Sequence, residues 1–150
     1  MDLLRLLLGE GARFLVVGAH AMAAHGVPRA TGDIDVWVDA DPTNAQKVFR
    51  ALAGFGAPLS AMGVGVADLT ATDRIIQIGL PPRRIDVLTG ITAVEFAQAW
   101  DRRLSLEVAG LLVPVLSRAD LLTNKRSAGR PKDLADVAML EAEGDPTGER

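Results

Sequence analysis

The chain has 150 residues, 49% of them hydrophobic, no cysteine, and a formal charge of −3. Those values suit one globular domain, exclude disulfides and thiolate chemistry, and leave no thiolates for a structural zinc site. A slightly acidic chain is also not one whose whole surface binds nucleic acid, although a local basic patch stays open.

Residues 2–8 have the spacing of a short amphipathic helix, ended by Gly9 and Gly11. This apolar start is too short to span a membrane, and Asp2 and Arg5 do not suit a signal peptide, so a cytoplasmic protein with no membrane association is expected. Residues 13–17 form an apolar run with β-branched members, predicting a buried strand that stops at Gly18. The alanine-rich residues 19–25 predict a helix ended by Gly26 and Pro28. Gly18 has no Cβ and lets the backbone approach a ligand closely, while the N–H groups opening the next helix suit an anion.

Residues 29–38 predict a strand with Asp33 and Asp35 on one face and Ile34, Val36 and Val38 on the other. Two carboxylates roughly 6 to 7 Å apart, at about 3.3 Å per residue, repel unless cations lie between them. That arrangement suits a pair of Mg²⁺ ions, which join protein carboxylates to phosphates. Spacing alone is weak: with 13 aspartates in the chain, about one Asp-x-Asp is expected by chance. Asp39 and Asp41 repeat it, and there Asp41 precedes Pro42 and caps a helix predicted over 41–53. Trp37 shares the face of the two aspartates, where it suits either base stacking or core packing.

Residues 59–73 are rich in small residues and predict a loop, with a short strand near 64–69. Strands follow over 74–80 and 84–88, joined by Pro81 and Pro82. In the second, Asp86 faces away from Ile85 and Val87. Such an acid is explained either by an exposed edge strand or by a charged partner, and a metal pair needs a third carboxylate. Thr92 and Glu95 have capping-box spacing for a helix over 92–100, and residues 104–108 and 111–116 predict a hairpin. Ser117 caps a helix to about Arg126, and a last helix begins near Pro131. Arg118, Lys125, Arg126, Arg130 and Lys132 form a basic cluster, suited to solvated helix ends or to phosphate. The elements sum to an α/β (α+β) fold, a mixed central sheet flanked by helices, in one domain over 1–143 with a flexible tail over 144–150.

Several of these stretches together resemble a known family. They are Gly18-Ala19-His20-Ala, Arg29-x-Thr31-x-Asp33-Ile-Asp35-Val, Arg84-Ile-Asp86-Val, and Lys125-x-x-Ala-Gly-Arg130-Pro-Lys-Asp133-Leu-Ala-Asp136. The chain, over about 14–140, resembles the nucleotidyltransferases of the DNA polymerase beta fold, most of all the small bacterial branch that includes AbiEii-type toxins. The resemblance implies that Asp33 and Asp35 ligate two Mg²⁺ ions, with Mn²⁺ as an alternative. It implies that Asp86 ligates the catalytic ion and accepts the acceptor's proton. It further implies nucleotide or phosphate contacts from Gly18, Ala19, His20, Arg29, Thr31, Lys125 and Arg130. Many members carry Gly-Ser or Gly-Gly where this chain has Gly18-Ala19, so His20 is the substitute donor.

The implied reaction moves a nucleoside monophosphate from a nucleoside triphosphate to an acceptor such as RNA, a protein or a small molecule. A homodimer or a toxin–antitoxin partner would complete so small a site. The alternative is a toxin–antitoxin component that uses the fold to bind a partner with little or no catalysis. A metal-dependent glycosyltransferase using Asp-x-Asp is a weaker rival, because it gives Gly18 and Asp86 no role.

Overall fold

In a computed structural model, described over residues 2–29 and 32–144, the two acidic strands lie side by side in one six-stranded sheet. The elements run α1 (Asp2–Gly9), β1 (Phe14–Val17), α2 (Gly18–Ala24), β2 (Ile34–Val38), α3 (Pro42–Phe55) and α4 (Leu59–Met62). A 3₁₀ turn (Val66–Leu69), β3 (Ile75–Ile78), β4 (Ile85–Leu88), α5 (Phe96–Asp101), β5 (Leu104–Val108), β6 (Leu111–Val115), α6 (Arg118–Ala128) and α7 (Pro131–Glu143) complete the chain. Strand order is β3-β4-β2-β1-β6-β5, with β2–β4 and β1–β6 parallel and the other pairs antiparallel. The expected mixed sheet flanked by helices is therefore the fold observed. Among the described residues no helix is long and apolar enough to cross a membrane.

Strand periodicity separates the two faces of this sheet. Val36 pairs with Val87, which pairs with Ile76, so one face carries a continuous buried apolar row. On the other face Asp35 pairs with Asp86 and Asp86 with Gln77, and the next row is Trp37, Leu88 and Ile75. The acids thus share a face because the parallel register aligns them.

Local chemistry sets the element ends. Asp41 accepts from the Asn44 N–H (3.1 Å) at the start of α3, and Ser117 accepts from the Asp120 N–H (3.1 Å) at the start of α6. Buried Asn44 ties α3 to the sheet, accepting from Arg13 N (2.7 Å) and donating to the carbonyls of Arg13 (3.0 Å) and Asp39 (2.8 Å).

Three expectations change. The strand near 64–69 is a 3₁₀ turn, because the Asp68 carboxylate accepts from Gly65 N (2.8 Å) and closes the backbone locally. The helix over 92–100 starts only at Phe96, since Ala93 has a left-handed φ of 66° and Glu95 sits at the N-cap. The Thr92 carbonyl accepts instead from Asn124 Nδ2 (3.1 Å), tying this turn to α6. Asp33 lies just before β2 rather than inside it. Thr31 and the tail beyond Gly144 lie outside the described residues.

Trp37 belongs to the core and not to a base-stacking surface. It is 2% exposed, with the Phe96 ring edge-on at 5.0 Å. Trp37→Ala is expected to cost about 3–5 kcal/mol of unfolding free energy, measured by urea denaturation, and a near-neutral result would contradict its place in the core.

Candidate active site

The site begins where β1 ends. Val17 hands over to Gly18, which turns with φ 66° into α2 and lies against the acidic face of β2. A Cβ at Gly18 would collide with Asp35 Oδ2, so only glycine admits both the turn and the carboxylate. Beside Asp35, across the parallel ladder, stands Asp86. Burial, and then the charge and hydrogen-bonding contact of Asp86, push the Asp35 carboxyl from 3.8 up to about 6, with Arg84 pulling the other way.

Arg84 supplies the local counter-charge. Two residues before Asp86 and on the same strand face, it places Nε 2.9 Å from Asp86 Oδ1. The angles fall short of a hydrogen bond, leaving buried Asp86 Oδ1 without a donor, while Arg84 Nη2 donates to Oδ2 at 3.3 Å. The backbone N–H of Arg84 donates to Asp33 Oδ1 (2.8 Å), which orients the third acid toward the start of β4.

A cavity of about 810 Å³ opens over this face. It is lined by Gly18 and Asp35, by the apolar side chains of Leu88, Ile75 and Ile91, and by a basic wall of Lys125, Arg130 and Lys132. That wall is held by ion pairs. Lys125 Nζ lies 2.9 Å from Asp136 and 3.6 Å from Asp133, and Arg29 also pairs with Asp136. Arg130 Nε meets Asp133 at 2.6 Å, and its hydrogen bonds hold the Asp133 carboxyl below the usual carboxylate range.

Of the residues singled out in the sequence, Asp35 and Asp86 meet directly, and Gly18, Lys125 and Arg130 line the same cavity. Arg29 is drawn to Asp136 on α7, and His20 holds Nε2 buried without a hydrogen-bond partner. Ala19 follows in the first turn of α2, half-buried. Sequence reasoning missed Arg84 as a partner of Asp86, although their i, i+2 spacing in a strand was a usable signal. It also passed over Asp73, Gly90 and Asn124 on the cavity wall, which carry no motif of their own.

The donor set can be tested for a divalent cation. Among the described residues no three His, Cys, Asp or Glu side chains converge into a ready metal cluster. Two oxygen donors do converge: Asp35 and Asp86 are forced together, and Asp86 Oδ1 is buried without a hydrogen bond. Mg²⁺ commonly uses one or two carboxylates and takes its other ligands from water and substrate phosphate, so this pair fits it.

The fold and its acidic face define a class. With a TM-score of 0.52 and 16% identity, the chain is similar to a candidate nucleotidyltransferase from Thermotoga maritima solved by crystallography, over 93% of this chain and 84% of that one. Residues 2–142 match the family DUF6036, described as nucleotidyltransferases of unknown function, and the chain belongs to it. No curated protein matches the chain.

Two outcomes test the geometry. Gly18→Ala is expected to lose about 1–2 kcal/mol from its backbone conformation alone, with a further loss from the collision with Asp35, read as a lowered urea midpoint. Because the folded-state pKa of Asp35 is raised, metal-free protein loses stability as pH rises from 3.8 through about 6. Asp35→Asn should therefore be more stable than wild type at pH 7.5, by on the order of 1–2 kcal/mol after solvent screening, and the gain should vanish near pH 4. Thermal melts across that range measure it.

Proposed function

We propose that the protein is a divalent-cation-dependent nucleotidyltransferase that moves a nucleoside monophosphate from a nucleoside triphosphate to an acceptor hydroxyl. The observation that carries this reading is the register pairing of Asp35 with Asp86 beside Gly18, where Asp35 and Gly18 line a cavity that Lys125, Arg130 and Lys132 also line. Family membership and fold agree with it at the level of class. The finer affiliation with the AbiEii-type branch rests on the sequence resemblance over about 14–140 alone.

Asp35 and Asp86 would hold the cation, Mg²⁺ or Mn²⁺, and Asp33, whose charge is felt at Asp35, would join them in holding a second ion. When bound, the ions offset the charge that develops on the attacking and leaving oxygens. Gly18 lets the chain approach the phosphates, with His20 as a donor and Lys125 and Arg130 as cations on the other side. The acceptor oxygen forms a bond to the α-phosphorus, the bond from that phosphorus to the bridging oxygen breaks, and pyrophosphate leaves with the electron pair. The acceptor's proton passes to Asp86. Since the resting site already spends Arg84 on Asp86, cation entry must displace or share that pairing.

Millimolar Mg²⁺ or Mn²⁺ is expected to raise the melting temperature of wild type and to do so far less for Asp35→Asn. Transfer of label from α-³²P nucleoside triphosphates to total RNA, cell protein or the chain itself should fall by a factor of about 10³ or more in Asp35→Asn and Asp86→Asn. Wild-type transfer that survives both substitutions would overturn the assignment.

A further inference from the structure

The cavity extends well beyond the carboxylates, and its remote end is also built. The β3–β4 register that pairs Gln77 with Asp86 and Ile75 with Leu88 sets Asp73 opposite Gly90 when continued by two residues. Asp73 has a left-handed φ of 55°, and its carboxylate folds across Gly90 so closely that a Cβ there would collide with Oδ1. The next residue anchors it: Arg74 N donates to Thr89 Oγ1 (2.8 Å), and Thr89 N donates to the Arg74 carbonyl (3.0 Å). Both Asp73, which is exposed, and Gly90 line the cavity.

Between this acid and Asp86 the register sets the apolar pair Ile75 and Leu88, and Ile91 lines the same cavity. Ile75 is 60% exposed, unusual for a large aliphatic side chain on a sheet face otherwise committed to a site. From Asp86 to Gly90 the strand advances about 13 Å at 3.3 Å per residue, comparable to a nucleotide from its α-phosphate to the far edge of its base. A flat base resting on Ile75 and Leu88 would then present its edge to Asp73.

We infer that Asp73 reads the base and gives the cavity a preference for guanine nucleotides. The inference rests on the nucleotidyltransferase reading above and adds the substrate class. An ionised carboxylate only accepts hydrogen bonds and takes two parallel donors best. Guanine alone among the four bases offers two adjacent donors, N1–H and the 2-amino group. Adenine presents N1, an acceptor, beside its 6-amino group, and would set a lone pair against an Asp73 oxygen.

The test is calorimetric titration of the full chain, with Mg²⁺, using α,β-methylene analogues of GTP, ITP and ATP. Wild type should bind the GTP analogue about tenfold tighter than the ATP analogue, with the ITP analogue between them because it lacks the 2-amino donor. Asp73→Asn tolerates the left-handed backbone and replaces one acceptor with a donor. It should weaken the GTP analogue about tenfold and tighten the ATP analogue. Equal wild-type affinities for the GTP and ITP analogues, an unchanged GTP-to-ATP ratio in the variant, or an equal loss for both would overturn the inference while nucleotide binding stands. Failure of wild type to bind any of the three would overturn the nucleotidyltransferase reading as well.

Discussion

The parallel register of β2 with β4 is the constraint on which the site depends. It sets Asp35 directly beside Asp86 on one sheet face, where backbone hydrogen bonding between the strands keeps the two carboxylates close despite their mutual repulsion. Shifting either strand by one residue would turn its acid to the opposite, apolar face, next to Val36 or Val87. Two neighbours accommodate the repulsion. Gly18 leaves room for the Asp35 side chain, and Arg84 brings a guanidinium to Asp86. Burial first, and then the charge of Asp86, keep the Asp35 carboxyl raised to about 6, a penalty on the ionised form of the sign that a divalent cation removes.

The basic wall solves a different problem. Lys125 leaves the last turns of α6 and reaches two carboxylates of α7, Asp133 and Asp136, while Arg29 comes from the chain ahead of β2 to the same Asp136. Lys125 and Asp133 are largely shielded from solvent, so this cluster at the edge of the cavity is screened by salt less than exposed pairs would be. A phosphate approaching Lys125 would meet a side chain already oriented by its partners, which lowers the ordering cost of binding.

Much of this was legible in the sequence because it follows from short-range rules. Strand alternation put Asp86 opposite Ile85 and Val87, Asp41-Pro42 and Ser117 marked helix starts, and the turn at Gly18 needed a residue without Cβ. What failed depended on competition between equally local signals. Thr92 and Glu95 had capping-box spacing, but the left-handed turn at Ala93 moved the helix start to Phe96. Asp68 closes a 3₁₀ turn where the sequence reading places a short strand within a small-residue loop. Trp37 shares the acidic face yet is capped by Phe96 from a helix that no spacing rule places there. The pairing of Arg29 with Asp136 spans 107 positions and no periodicity could have announced it.

The distribution of charge around the cavity bears on how such a site works. Arg84 is matched by Asp86, Arg29 by Asp136, Arg130 by Asp133, and Lys125 by both α7 acids. Lys132 apart, a triphosphate arriving alone therefore meets cations whose charge is largely neutralised, together with the unfavourable field of Asp35 and Asp86. A cation arriving alone finds two carboxylates, one of them already paired. Arriving together, phosphate oxygens complete the coordination that two carboxylates begin, and the cation cancels the repulsion between phosphate and acid. The pairings built into the resting site thus couple metal and nucleotide affinity: each ligand removes the obstacle that the other meets, and by linkage each must strengthen the other to the same degree.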